Sequence, residues 1–443
     1  MASYRSPSDW EDWSEWLAAG LHGRSCWRLP LLMTGLLLAN GRRVVAAWIR
    51  TAGVSHDFQD FYFFLQSVGR RWQSLGDRVL ILVLQRALRN QSRVLLGVDD
   101  SPTKRYGPKV QGAGFHHDPT PGPAGGKFCY GHIWVTLAVI VRHPLWGTIG
   151  LPIWAWLYVR KGDVSRIPGK HGWRFQTKTR QAADLVARAA KTLQSAGKTV
   201  WAVADGFYTK RPFARAVIAA GVTLVGRLPR NAALRTVPPR ERTRRRGRQR
   251  KYGKFPVSLT KRAGNRHGWQ DVACVVYGME TVKRVKTFLA THATFGGTIR
   301  VVIVKEPVGP QFFYATSTSA SVREILEAFA DRAAIEQVFH DVKEVWGGGQ
   351  QQVRNLWANI AVWHLNLWMH TLVELWAWNR TAHELVRRGD SPWDTPARRP
   401  SHADRRKALQ AAVLSAEFSR GTGRTPLPRK IRDLLQRLLR IAL

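Results

Sequence analysis

Cysteine is scarce in this chain: Cys26, Cys129 and Cys274 are widely spaced along 443 residues. That spacing gives neither a disulfide framework nor a cysteine zinc cluster, and it fits a reducing cytosol. Acidic side chains are scarce as well, 30 against 69 lysines and arginines, which leaves a net charge of +39. A soluble chain this basic is expected to meet a polyanion, nucleic acid ahead of an anionic membrane surface. Long apolar runs are missing. Leu31 to Ala39 is too short to span a bilayer and lacks signal-peptide flanks. Trp357 to Trp378 is longer, but Asn359, His364, Asn366, His370 and Glu374 interrupt it, so it reads as a buried helix. No membrane partner is expected. Also absent are a Walker loop, a dinucleotide glycine fingerprint after a strand, a Gly-x-Ser-x-Gly elbow and any internal repeat.

What is present argues for a folded protein of two or three domains: hydrophobic content of 44% and 20 tryptophans. The most informative stretch runs from Ser321 to Arg354. Ser321 and Glu324 form a capping box, and Gly347, Gly348 and Gly349 end the helix that it starts. Ile335, Val338, Phe339, Val342 and Trp346 recur at the spacing of a buried stripe. At roughly 100° per residue, Phe329, Arg332, Glu336 and Lys343 project along one flank of it. The plain reading of Arg332 and Glu336 is an i,i+4 ion pair on a solvated face.

Residues 1–90 read as helical. A helix, a turn at Gly53 and a second helix capped near Ser55 have the outline of a helix-turn-helix for a DNA groove. Residues 91–228 alternate strands and helices. RVLLGVDDS is a short β run ending in Asp99, Asp100 and Ser101, and a loop is expected from Pro102 to Lys127. His116, His117 and Asp118 lie in that loop without partner spacing and read as polar loop residues. Strands over Tyr130–Val141 and Trp146–Val159 follow, then a helix over Gln176–Ala196. Thr199 to Ala204 is a buried strand that ends at Asp205, and Val222 to Arg227 is another. Residues 229–298 read as a β-rich basic insertion that opens with an arginine run including Arg244, Arg245 and Arg246. Residues 299–380 complete the α/β part. A basic tail over 381–443 holds two small helices, near 402–417 and 428–442.

Two aspartates at strand tips and a helical glutamate are hard oxygen donors that suit Mg²⁺ or Mn²⁺. Two such ions, about 3.5–4 Å apart, activate a water or 3′-hydroxyl and stabilise the leaving oxygen of a phosphodiester. Arg332 and Lys343 would then face phosphates. The chemistry expected is metal-dependent cleavage of nucleic acid.

The same residues resemble the DDE transposases of bacterial insertion sequences, whose catalytic domain has the ribonuclease-H-like fold. The first acid of that family follows a strand in an Asp-x-Ser/Thr context, matched by Asp99 in LLGVDDS, with Asp100 as the alternative. The second opens an aromatic turn, matched by Asp205 in VADGFY. The third lies in a Tyr-Arg-Glu-Lys signature, matched at Arg332, Glu336 and Lys343, with Phe329 in place of the tyrosine. The resemblance covers about residues 93–370. It implies an α/β, ribonuclease-H-like catalytic core with a β-rich insertion, a helical DNA-binding N-terminal region and a helical tail. It implies Mg²⁺ or Mn²⁺ held by Asp99, Asp205 and Glu336, and phosphates held by Arg332 and Lys343. Gln352 and Arg354, just past the glycines, are further candidate DNA contacts. The implied activity is cleavage at element ends and strand transfer, by a homodimer on double-stranded DNA carrying terminal inverted repeats, with target DNA as second substrate. A bacterial cytoplasmic, nucleoid-associated location follows. A ribonuclease-H-like nuclease that never joins strands, and a catalytically dead DNA-binding copy, are the competing readings.

Overall fold

Three antiparallel strands beside two parallel ones form the centre of the molecule. The computed structural model describes residues 8–118, 126–239, 250–386, 395, 398–421, 430, 431, 434 and 438. β1 (Arg93–Lys104) pairs antiparallel with β3 (Phe128–His143), which pairs with β4 (Gly147–Tyr158). A short β2 (Gly114–His117) pairs with the start of β3. On its other side β1 runs parallel to β5 (Thr199–Ala204), and β5 parallel to β6 (Thr223–Arg227). This mixed sheet with helices packed on it is consistent with a ribonuclease-H-like domain.

The sheet does not stop at β6. It continues through β12 (Gln311–Ala315), β11 (Gly297–Val304) and the long β10 (Met279–His292) to β7 (Leu234–Arg235) and β8 (Pro256–Val257). β9 (Gln270–Val276) folds back on β10 as a hairpin. The expected insertion therefore lends its longest strand to the same sheet. Its arginine run, Arg244 to Arg246 included, lies outside the described residues.

The helices before the sheet are α1 (Ser8–Ala18), α2 (Arg28–Leu38), α3 (Val45–Thr51), α4 (Phe58–Arg70) and α5 (Trp72–Arg86). Those within and after it are α6 (Lys178–Ser195), α7 (Arg211–Ala219), α8 (Leu259–Gly264), α9 (Val322–Asp331), α10 (Ala333–Glu344), α11 (Leu356–Ala377), α12 (Ala382–Leu385) and α13 (His402–Gly421). α11 is buried almost throughout and forms the spine against which α4, α5 and β4 pack. Two of its polar side chains bond to β4, and Glu374 is met by His402 and Arg405 of α13. His364 Nε2 accepts from Ala155 N at 3.1 Å, and Thr371 Oγ1 donates to Pro152 O at 2.7 Å. The helix α4 lies so close to α11 that a Cβ at Gly69 would stand 1.9 Å from Trp357 O. No helix among the described residues is long and apolar enough to cross a membrane.

Three expectations need correction. Pro102 to Lys127 is not one loop, because β1 keeps pairing with β3 as far as Lys104 and Gly114–His117 adds β2. Ser55 does not cap the second N-terminal helix. Asp57 precedes α4 in the left-handed region at φ 57°, and its side chain makes no capping bond. The helix begun by the Ser321–Glu324 capping box is interrupted at Arg332, where the Arg332 N to Phe329 O bond tightens one turn between α9 and α10. Of the second tail helix, four isolated positions are described.

Candidate active site

β1 and β5 run parallel and in register, Val98 opposite Ala204, so the next residue on each is an aspartate. Asp99 continues within β1, where pairing with Thr136 of β3 holds its backbone. Asp205 has left the sheet, and its Oδ1 accepts from Gly206 N at 2.6 Å at the start of a short 3₁₀ turn over Gly206–Tyr208. Both aspartates thus sit where the parallel pairing of β1 with β5 ends, the edge at which α/β sheets place their chemistry.

Arg332 joins the third acid to them. Its Nη1 donates to Asp99 Oδ2 at 3.0 Å and its Nη2 to Glu336 Oε1 at 2.8 Å. The i,i+4 pair expected from the helix does form, but the same guanidinium reaches across to β1. Arg332 is largely buried, and its Nε finds no partner among the described residues. Burial raises the Asp99 carboxyl to about 6, and the charges of Asp100 and Asp205 push the same way against the Asp100 N–H and Arg332. A carboxyl so placed gains from a nearby cation.

Asp100 points the other way, as alternation along a strand requires. Its Oδ1 accepts from Tyr208 Oη at 2.8 Å and its Oδ2 from Lys178 Nζ at 2.7 Å. Both of its oxygens are engaged by protein. Tyr208 and Lys178 escape the sequence reading. Tyr208 sits visibly in VADGFY, whereas Lys178 opens α6, 78 residues from Asp100, with no spacing to announce it.

The rest of the signature is divided. Phe329 packs edge-on against Phe313 with ring centroids 5.0 Å apart, and the Arg332 guanidinium carbon lies 5.8 Å from its ring centre. The ring thus serves as an apolar support. Lys343 is partly buried, which depresses its ammonium below the usual range, while Asp118 pulls it back up. The charges of Glu344 and Cys129 act on it in the same sense as Asp118. Gln352 and Arg354 are exposed and line a cavity of about 950 Å³ with Arg42, Lys104 and Tyr106. Buried Arg105 sets that loop by donating to Gly349 O at 2.7 Å and Gln351 O at 3.1 Å.

Asp341 lies on the far side of α10, buried, in a group with His370 and His402 whose donor atoms fall within 4.8 Å of one another. His402 has both ring nitrogens occupied, by Trp346 Nε1 at 2.7 Å and Glu374 Oε1 at 2.6 Å. The group is a polar joint between α10, α11 and α13. Asp99, Asp205 and Glu336 do not come within that spacing as a set. Asp205 and Glu336 are exposed, each with one carboxylate oxygen bonded, to Gly206 N and to Arg332. Hard oxygen donors, one of them strained by neighbouring negative charge, fit a divalent cation.

A family model for DDE superfamily endonucleases matches residues 17–292. The chain belongs to that family. DDE endonuclease domains use divalent metal ions and act on DNA, as the acids and the basic charge of this one suggest. The match takes in the N-terminal helices from Leu17, Asp99 and Asp205, and ends at the last residue of β10, before α9 and α10. No curated protein matches the chain.

Proposed function

We propose that this DDE endonuclease is an insertion-sequence transposase of the subgroup carrying the Tyr-Arg-Glu-Lys signature. It would cut at the ends of its element to leave 3′-hydroxyls and join them to target DNA. The observation that carries the reading is Arg332 spanning Asp99 and Glu336 while Asp205 ends the adjacent strand.

In this reading Asp99, Asp205 and Glu336 hold Mg²⁺ or Mn²⁺. Bound there, the metal supplies Lewis acidity to the phosphodiester and lowers the pKa of its nucleophile. Arg332 fixes the Asp99 and Glu336 carboxylates, and its unpartnered Nε is a donor for a phosphate oxygen. Tyr208 and Lys178 hold Asp100 away from the metal, which leaves Asp99 as the ligand on β1. Gln352 and Arg354 contact the DNA backbone through the cavity they share with Arg42 and Lys104. A homodimer would pair two terminal inverted repeats.

The test begins with the DNA flanking the reading frame, inspected for short inverted repeats bordered by direct duplications. Oligonucleotides carrying those ends are then incubated with supercoiled plasmid, protein and Mg²⁺. Joined products support the transposase. Cut ends that never join indicate a nuclease, and binding without cutting indicates a dead copy.

A further inference from the structure

A cavity of about 1340 Å³ opens beside Asp205 between the core and the β9–β10 side of the sheet. One wall is Asp205 to Lys210 with the segment after β6; the other is α8, the loop to Trp269 and β10. Small-molecule sites run about 300–1,000 Å³, so the volume suits a polymer. Its walls are cationic. Lys210, Arg230, Arg266, Arg284 and Lys305 line it, all exposed, and none makes an ion pair among the described residues. The acid on the same wall, Glu306, is already held by Lys283 at 2.8 Å. Elsewhere exposed arginines do find acids, as Arg93 with Glu324 and Arg86 with Asp9 show. Unpaired cations gathered on one cavity repel each other unless an anion joins them.

Trp269 adds an aromatic surface. Its Nε1 donates to Asn265 O at 3.1 Å, and Lys286 Nζ sits 4.6 Å from its ring centre. Lys286 is fixed in turn by the carbonyls of Arg262 at 2.9 Å and Asn265 at 2.5 Å. A fixed indole among free cations is the combination that stacks unpaired bases while gripping their phosphates.

We propose that this groove holds a single-stranded segment of DNA running away from the phosphate at Asp205. The proposal rests on the transposase reading for the position of the cut, but not for the binding itself. The carrying observation is the juxtaposition of Arg266, Arg284 and Lys305 with Trp269 on a cavity that ends at Asp205.

The experiment is fluorescence anisotropy with the full chain, without metal, using a labelled oligo-dT and a random-sequence duplex of equal length. The variant Arg266→Ala/Arg284→Ala/Lys305→Ala alters exposed side chains alone. It should bind oligo-dT at least tenfold more weakly. Each phosphate contact contributes about 0.7 to the single-strand salt slope, so losing three should lower that slope by about 2. Duplex affinity should change less than twofold. Trp269→Ala should weaken oligo-dT binding with the slope unchanged, and Arg266→Lys/Arg284→Lys should keep most of the affinity. Unchanged oligo-dT binding by the triple variant overturns the proposal. So does an equal loss for both probes, or a wild type that ignores oligo-dT. If Glu336→Gln still cuts DNA, the catalytic reading falls while the anisotropy result stands by itself.

Discussion

Arg332 reaches Asp99 across 233 residues of chain and places its guanidinium between that aspartate and Glu336. A single arginine thereby fixes the spacing of two elements, β1 and α10. Arg332→Lys keeps the charge but gives up the fork that bonds two carboxylates at once. Cleavage should fall by at least tenfold in the lysine variant, with DNA affinity lowered far less. A lysine variant with wild-type cleavage would show the bridge to be incidental.

Glu336 and Asp341 make the sharper comparison, five residues apart on one helix. Glu336 is exposed on the Asp99 side, whereas Asp341 is buried against His370 and Gln337. Glu336→Gln should abolish strand cleavage and leave gel-shift affinity for the cognate ends nearly intact. Asp341→Asn should instead lower the melting temperature and leave cleavage by the folded fraction. If the Asp341 variant alone is dead, the third ligand has been misassigned.

Asp99 gives a pH signature. Its carboxyl ordinarily titrates near 3.8 and is raised here to about 6. The native state therefore holds a proton that the unfolded state has lost between those values, so stability falls as pH rises through that window. A shift of about two units corresponds to about 3 kcal/mol. Asp99→Asn removes this penalty. Without metal it should melt higher than wild type at pH 8 and equally at pH 3.5. Added Mg²⁺ should stabilise wild type at pH 8 and leave Asp99→Asn unmoved. Asp100→Asn, which loses the charge opposite Lys178 and one of its two acceptor oxygens, should melt lower at pH 8.

Local signals carried the sequence reading as far as they could reach. The capping box at Ser321 and Glu324 forms as written, and Thr199 to Ala204 is a strand with those bounds, because caps and apolar runs are short-range facts. Asp99 and Asp205 stand out because each follows such a run. The Arg332 bridge to β1 was not legible, since helical spacing shows Glu336 and says nothing of a strand far away in sequence. Lys178 was hidden for the same reason. Pro102 misled: a proline usually ends a strand, but here the ladder to Ile133 continues through it. The role of residues 270–304 as an extension of the core sheet depends on β11 pairing with β12, a contact that no local pattern encodes.

The arginine run from Arg240 to Arg250 can be tested by its effect on salt dependence. A protein with about 6–10 phosphate contacts on duplex DNA loses on the order of 10³–10⁵ in affinity between 50 and 200 mM salt. Deleting those residues should flatten the slope for duplex DNA. A slope that stays the same marks the run as a bystander.

Glu374 offers a prediction about the tail. It is buried in α11, where desolvation alone would raise its carboxyl, yet Arg405 and His402 from α13 outweigh that and lower it from 4.5. Arg405 Nη1 donates to both of its oxygens at 2.8 Å. Glu374→Gln strands a buried guanidinium, and breaking such a pair costs about 3–5 kcal/mol. The lowered carboxyl contributes stability that is complete above about 4.5 and fades as pH falls below it. The gap between wild type and Glu374→Gln in urea melts should therefore be widest near pH 7 and shrink on acidification below 4.5. Replacing both partners, as Glu374→Leu/Arg405→Met, should recover most of the loss, because no charge is then left buried alone. A Glu374→Gln variant as stable as wild type at pH 7 would show that α13 is held by its apolar contacts, Leu409 and Val413 among them, and not by the ion pair.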